Sequence, residues 1–154
     1  MNKYGGYFLK IYQHRSYVLA LEGAPNVEGM YVDEDMKGLS FRNYKGLLLF
    51  GGGSHRTGKQ GGGWQELRDL AKFYYPRARV VTQWATQDCI TLDEMPYIGR
   101  YSSKFSDIYI TTGFNKWGMT SSMARAMILA DLVGTKRMIL KVFFLPIGGL
   151  CIFN

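Results

Sequence analysis

The chain has 154 residues, 47% hydrophobic and 20% charged, which excludes an intrinsically disordered segment and leaves room for one cored domain or parts of two. The net charge of +7 comes from nineteen Lys and Arg scattered among twelve acids, with no basic block and no zinc-finger spacing, so no nucleic-acid partner is expected. Cys89, Cys151, His14 and His55 show neither metal-ligand spacing nor a disulfide framework, and MNKYGGYFLKIYQHR has no signal-peptide core; these features predict a cytoplasmic protein with no metal site and no membrane segment.

In chain order, Ser16 to Leu21 (SYVLAL) reads as a buried strand that ends at Gly23, before an Ala24-Pro25-Asn26 turn. Gly29 to Asp33, Leu39 to Asn43 and Gly46 to Phe50 follow as short strand candidates. Runs joined by short polar turns imply an antiparallel meander, not alternating βαβ units.

The glycine tract from Gly51 to Gly63 comes next, and Gly53-x-x-x-x-Gly58-Lys59 matches most of a phosphate-binding P-loop. Gln60 stands where the magnesium-binding hydroxyl belongs, and no downstream strand ends in a suitable Asp. A mobile surface loop is the favoured reading.

Trp64 to Tyr75 places apolar residues at 64, 67, 70, 71 and 74, on one helical face, and Pro76 stops the helix. Arg79 to Thr86 is a strand. Gln87 to Pro96 is a connection, Tyr97 to Arg100 a turn, and Tyr101 to Ser106 a polar loop.

Asp107 to Lys136 organises the chain. Ile108, Tyr109 and Ile110 with two threonines form a strand, Gly113 and Gly118 punctuate a turn, and Thr120 to Val133 is a helix. Met123, Met127, Ala130 and Leu132 line one face of it, Arg125 and Asp131 the other, with Thr120, Ser121 or Ser122 available to cap its first amides. Those amides and the helix macrodipole form a site for an electron-rich oxygen, although an ordinary buried helix behind a tight turn has the same pattern. Arg137 to Asn154 is strongly apolar but carries Lys141, Pro146 and two glycines, and its uncharged runs fall short of the roughly 18 residues of a membrane span. Two readings of this tail stay open: an extended segment covering apolar surface, or a stretch not native to the fold, left by a frame shift or truncation.

The organising segment, with Asp93-Glu94-Met95-Pro96-Tyr97-Ile98-Gly99 upstream, resembles the C-terminal part of FAD-dependent oxidoreductases of the D-amino-acid oxidase / glycine oxidase superfamily. The resemblance runs from about Tyr7 to Lys136. It implies an α+β fold, a mostly antiparallel sheet with two main helices. Residues 1–92 would be a substrate-domain-like portion, 93–136 the C-terminal flavin-facing portion of the FAD domain, and 137–154 an atypical tail. It further implies that Gly113, Phe114, Asn115, Lys116, Trp117, Gly118, Met119 and Thr120 surround the flavin ring. The amides near Gly118 to Thr120 would face the N1–C2 carbonyl edge, and Lys116 would be either the nearby cation or a solvated surface lysine.

No Gly-x-Gly-x-x-Gly turn follows a strand anywhere in the chain, which predicts a fragment that neither retains FAD nor oxidises a substrate without an N-terminal FAD-binding half. Catalytic residues are not identified. Amino-acid-oxidising relatives place a carboxylate-gripping arginine shortly before the D-G-x-P turn, where this chain reads Gln87-Asp88-Cys89. An acid there disfavours an amino-acid substrate and leaves an amine or another small-molecule donor. Apolar surface that the absent half would cover predicts a homo-oligomer. A non-catalytic binding or scaffolding domain and the P-loop phosphate binder are the alternatives.

Overall fold

The computed structural model describes residues 6–35 and 38–134, apart from the side chain of Ser106. The expectations for the tail at 137–154 lie outside the described residues.

The elements run α1 (Tyr7–Lys10), β1 (Ile11–Glu22), β2 (Tyr31–Val32), β3 (Ser40–Tyr44), β4 (Leu47–Arg56), α2 (Trp64–Tyr74), β5 (Arg79–Thr91), β6 (Tyr97–Ser102), β7 (Phe105–Thr112) and α3 (Gly118–Val133). The fold is α+β. A five-stranded sheet has the order β2-β3-β4-β1-β5, and β6 and β7 make a separate antiparallel hairpin. The described residues divide into two compact units, one within residues 13–87 and the other made of residues 6–12 with 88–134.

In the unit of residues 13–87, β2, β3 and β4 form the expected meander, and β1 pairs antiparallel with β4. The middle of this sheet is apolar on both faces: Leu19, Ala20 and Leu21 are buried in succession in β1, as are Leu48, Leu49 and Phe50 in β4. One face is covered by α2, whose Leu67 and Ala71 enter a core with Tyr17, Leu19, Leu21, Leu48 and Phe50. Glu66 in the first turn of α2 and Lys72 in its last complement the helix dipole.

The glycine tract departs from the expected mobile loop. Gly51, Gly52 and Gly53 lie buried inside β4, with Gly51 and Gly52 laddered to its neighbours. A side chain on Gly51 would collide with the Ser40 hydroxyl, and one on Gly52 would come within 2.6 Å of a Leu39 methyl. The remaining glycines fold back, with the Gly63 amide donating to the Gly53 carbonyl at 2.9 Å. The amides of Thr57, Lys59 and Gly63 are engaged by the carbonyls of Gln13, Arg56 and Gly53 and so are not free to cradle a phosphate.

In the other unit, residues 97–106 correct the expected turn and polar loop. They form β6, a tight turn and the start of β7, with Tyr97 opposite Thr112 and Gly99 opposite Ile110. Gly99, at φ +146, adopts a backbone that side-chain-bearing residues rarely use.

The helix α3 starts at Gly118, two residues before the expected start at Thr120. Its buried residues are Arg125 and Ile128, while Met119, Met123 and Met127, spaced four apart, are 93%, 71% and 54% exposed. The methionine face thus points outward and the arginine inward.

Candidate functional site

The turn that joins β7 to α3 is built on left-handed backbone. Gly113 has φ +72, and a side chain on it would collide with the Thr91 methyl, so glycine is required there by packing. Asn115 (φ +49) and Lys116 (φ +68) follow in the same region, where a residue other than glycine is held at a cost of about 1 kcal/mol or more.

Asn115 holds this geometry in place. Its backbone N–H donates to the Cys89 carbonyl at 3.3 Å, and its Oδ1 accepts from the Thr91 N–H at 2.9 Å. Its Nδ2 donates to the Glu94 carbonyl at 2.7 Å and to Thr91 Oγ1 at 3.1 Å. One side chain therefore ties the turn to the end of β5 and to the Asp93-Pro96 connection. Asp93 braces that connection, accepting from the Met95 N–H and the Tyr97 hydroxyl, each at 3.3 Å. Burial and the neighbouring Asp93 carboxylate push the Tyr97 phenol above its usual pKa.

Trp117 N–H donates to the Phe114 carbonyl at 2.8 Å, closing the turn, and Trp117 is the residue before the helix. The expected hydroxyl cap is not formed: the N-cap position is Trp117, which makes no side-chain capping bond among the described residues. Thr120 and Ser121 instead donate to the Trp117 carbonyl and Ser122 to the Met119 carbonyl, because each hydroxyl sits far enough into the helix to reach back to a carbonyl three or four residues earlier. Among the described residues no side-chain cap neutralises the positive end of the α3 dipole.

The structure thus brings Gly113 to Thr120 into one contiguous turn and helix start. Gly118 has no packing reason to be glycine: a side chain there would lie 3.8 Å from the Phe114 Cβ, an ordinary contact, and its φ is not positive. Lys116 is an exposed residue whose ammonium is nonetheless partly desolvated, which pulls its pKa below the usual lysine value, against the opposing pull of the Asp88 carboxylate. Trp117 is 57% exposed.

Two residues not singled out for the site belong to its frame. Thr91 is fully buried and receives Asn115; its position at the end of a β-branched run gave no cue. Arg125 is 3% exposed, and its guanidinium carbon lies 3.9 Å from the centroid of the Phe114 ring. The cue was a lone cation between small and apolar residues of α3.

A second polar cluster lies in the sheet unit. Tyr17 Oη is 2.9 Å from His55 Nε2 with the rings stacked at 8°, and Ser16 Oγ is 2.9 Å from Ser54 Oγ. Among the described residues no group of three His, Cys, Asp or Glu could hold a metal ion, and no helix is long and apolar enough to cross a membrane.

Over residues 3–132 the chain matches the DAO family model, described as FAD dependent oxidoreductase. It is 38% identical over 152 residues to YhfW of Bacillus subtilis (strain 168), whose name assigns it provisionally to the Rieske 2Fe-2S iron-sulfur proteins. That match covers 92% of this chain and 30% of YhfW, so the chain spans less than a third of this relative.

Among solved structures, the fold is similar to glycine oxidase from Geobacillus kaustophilus, with TM-score 0.71 and 22% identity, over 89% of this chain and 39% of that one. It is similar to iminodiacetate oxidase (IdaA) from Chelativorans sp. BNC1, with TM-score 0.65 and 15% identity, over 89% and 40%. L-amino acid deaminase from Proteus vulgaris matches with TM-score 0.62 and 24% identity, over 85% and 34%. At these identities the structures share the fold. The family match, extending through β7 and most of α3, shows that the chain belongs to the DAO family of FAD dependent oxidoreductases.

Proposed function

We propose that the turn from Gly113 to Thr120 forms one wall of the flavin site of an oxidoreductase acting on a small-molecule donor such as an amine. The observation that carries this reading is Gly118. The fold has room for a side chain there, and the glycine leaves the uncapped amides of α3 open to a flat, electron-rich partner. FAD, when bound, accepts a hydride from a donor C–H bond and gains negative charge at its N1–C2 carbonyl edge.

Gly118, Met119 and Thr120 would meet that edge with backbone amides and the helix dipole, which stabilise negative charge without reorganising. Gly113, Phe114 and Trp117 would shape the approach. Asn115, whose side-chain amide is engaged by Thr91 and Glu94, would act by holding the turn, and Lys116 would add a cation with a softened desolvation balance.

Residues 88–134, with 1–12, would make the flavin-facing portion and residues 13–87 the substrate-domain-like portion. The remaining FAD contacts, above all to the pyrophosphate, would come from a dinucleotide-binding part, since the chain holds no Gly-x-Gly-x-x-Gly turn. The exposed methionines of α3 supply an apolar surface for such a part, or for a second copy of the chain. No cluster corresponding to the iron-sulfur centre in the name of YhfW occurs among the described residues.

Asp88 bears on the substrate. It is half-buried and close enough to Lys116 to act on its charge. An acid so placed disfavours a carboxylate and favours a neutral or cationic amine.

The test is spectroscopic. The chain alone, after gel filtration, should lack a stoichiometric flavin band. The whole protein containing it should be yellow, and anaerobic mixing should bleach it with amines but not with amino acids. A whole protein without flavin would favour a non-catalytic binding domain, and bleaching by amino acids would overturn the role of Asp88.

A further inference from the structure

Arg125 is an anomaly that the turn itself does not explain. It is 3% exposed, and its Nε and Nη1 are buried with no hydrogen-bond partner among the described residues. An arginine remains charged at neutral pH even though burial pulls its pKa below the ordinary value, so a largely buried positive charge has no counter-ion among the described residues. Burying a charge that way is costly, and native folds rarely keep one without a use.

The guanidinium is aimed at the start of its own helix. Helical side chains lean towards the N-terminus, and Arg125 follows that direction to stack on Phe114, three residues before the helix-capping Trp117. A side chain on Gly118 would begin 3.8 Å from the Phe114 Cβ, so Phe114 links the guanidinium to the first turn. The stacking is a cation–π contact, worth up to about 2 kcal/mol when desolvated, but it supplies no acceptor for the two N–H groups. Uncapped amides and an unneutralised guanidinium, both positive, therefore converge behind one short turn.

We propose that Arg125 is a positioning residue of electrostatic kind: a fixed, buried positive charge behind the flavin-facing turn that favours the reduced form of the cofactor. The proposal rests on the reading of Gly113 to Thr120 as a flavin site. Because its Nε and Nη1 are closed off, Arg125 acts through the field it projects across Phe114 and the helix start, not by contact. In a low-dielectric surround such a field is weakly screened, so its effect persists at high salt, unlike that of an exposed lysine.

Two measurements test it. In the chain as it stands, Arg125→Met removes an uncompensated charge while keeping an apolar stem, so the melting temperature should rise; a purely structural arginine would give a fall. In the flavin-loaded whole protein, Arg125→Met should lower the flavin reduction potential by about a tenfold change in equilibrium constant, roughly 30 mV for a two-electron couple, at low and high salt alike. Arg125→Lys should retain most of the potential.

An Arg125→Met protein that is destabilised or unfolded, or one with an unchanged potential, overturns the proposal. Gly118→Glu separates this inference from the site it rests on. If Gly118→Glu loses flavin while Arg125→Met leaves the potential unchanged, the site stands and only the role of Arg125 falls. If Gly118→Glu keeps flavin at the normal potential, the site reading falls and takes this inference with it.

Discussion

The two units differ in how they treat charge. The sheet unit leaves Phe73 and Trp84 exposed, yet it keeps its cations at the surface around an apolar core: Leu67 and Ala71 of α2 fill that core, Arg79 pairs with Glu22 at 2.6 Å in solvent, and Arg68 donates to Gln83 at 2.6 Å on the surface. In the unit of β6, β7 and α3, a helix buries its arginine, exposes a row of methionines and is preceded by two strained non-glycine residues. The first pattern is what stability alone produces. The second costs stability, and such costs collect where a protein meets something outside its own core.

Ways to break this contrast differ in size. Leu67→Ala, in a fully buried position, should cost about 2–5 kcal/mol in chemical denaturation. A loss near zero would mean that the sheet unit does not depend on its core. Asn115→Ala should cost about 1–3 kcal/mol, because the buried Thr91 N–H loses its acceptor while the strained turn loses its tie. Unchanged stability there would show that the left-handed turn holds without the clamp.

Much of the sheet unit was legible in the sequence because both of its signals were local. Trp64, Leu67, Leu70 and Ala71 fix the face of α2, and the apolar runs of β1 and β4 announce central strands. Their ends were less clear, since Gln13 to Arg15 and the glycines after Phe50 continue strands with residues of weak β-preference. The other unit was harder. Periodicity separates a methionine stripe from an Arg125 and Asp131 face on α3 but does not say which face is covered, and here Arg125 is the buried one. The β6–β7 hairpin hid behind Gly99 and a polar tip. The turn at Gly113 to Thr120 was legible as a turn, but the clamp from Asn115 to Thr91 and Glu94 depends on residues more than twenty positions apart.

Smaller effects sharpen the contrast further. Replacing Met119, Met123 and Met127 together by glutamine should reduce self-association in light scattering and leave the melting temperature nearly unchanged, since these side chains are already in water. A marked loss of stability would mean that they are core residues after all. Tyr97 gives a pH signature of predictable sign. Its pKa is raised in the fold, so its protonated form is favoured there; stability from this source is fully present below the ordinary tyrosine value of about 10 and is lost as pH climbs through the folded value. Tyr97→Phe should flatten the alkaline limb of the stability curve, and an unaltered limb would remove Tyr97 as its source.

Gly118 bears most directly on whether the turn faces a flavin. A Cβ placed there makes only ordinary contact with Phe114, so secondary structure should survive in Gly118→Glu, while the side chain and its negative charge would occupy the approach to the uncapped amides. In the whole protein, the visible spectrum after gel filtration should show flavin lost from Gly118→Glu and kept by Gly118→Ala. A Gly118→Glu protein that retains stoichiometric flavin and reduces it at the normal rate would contradict the assignment.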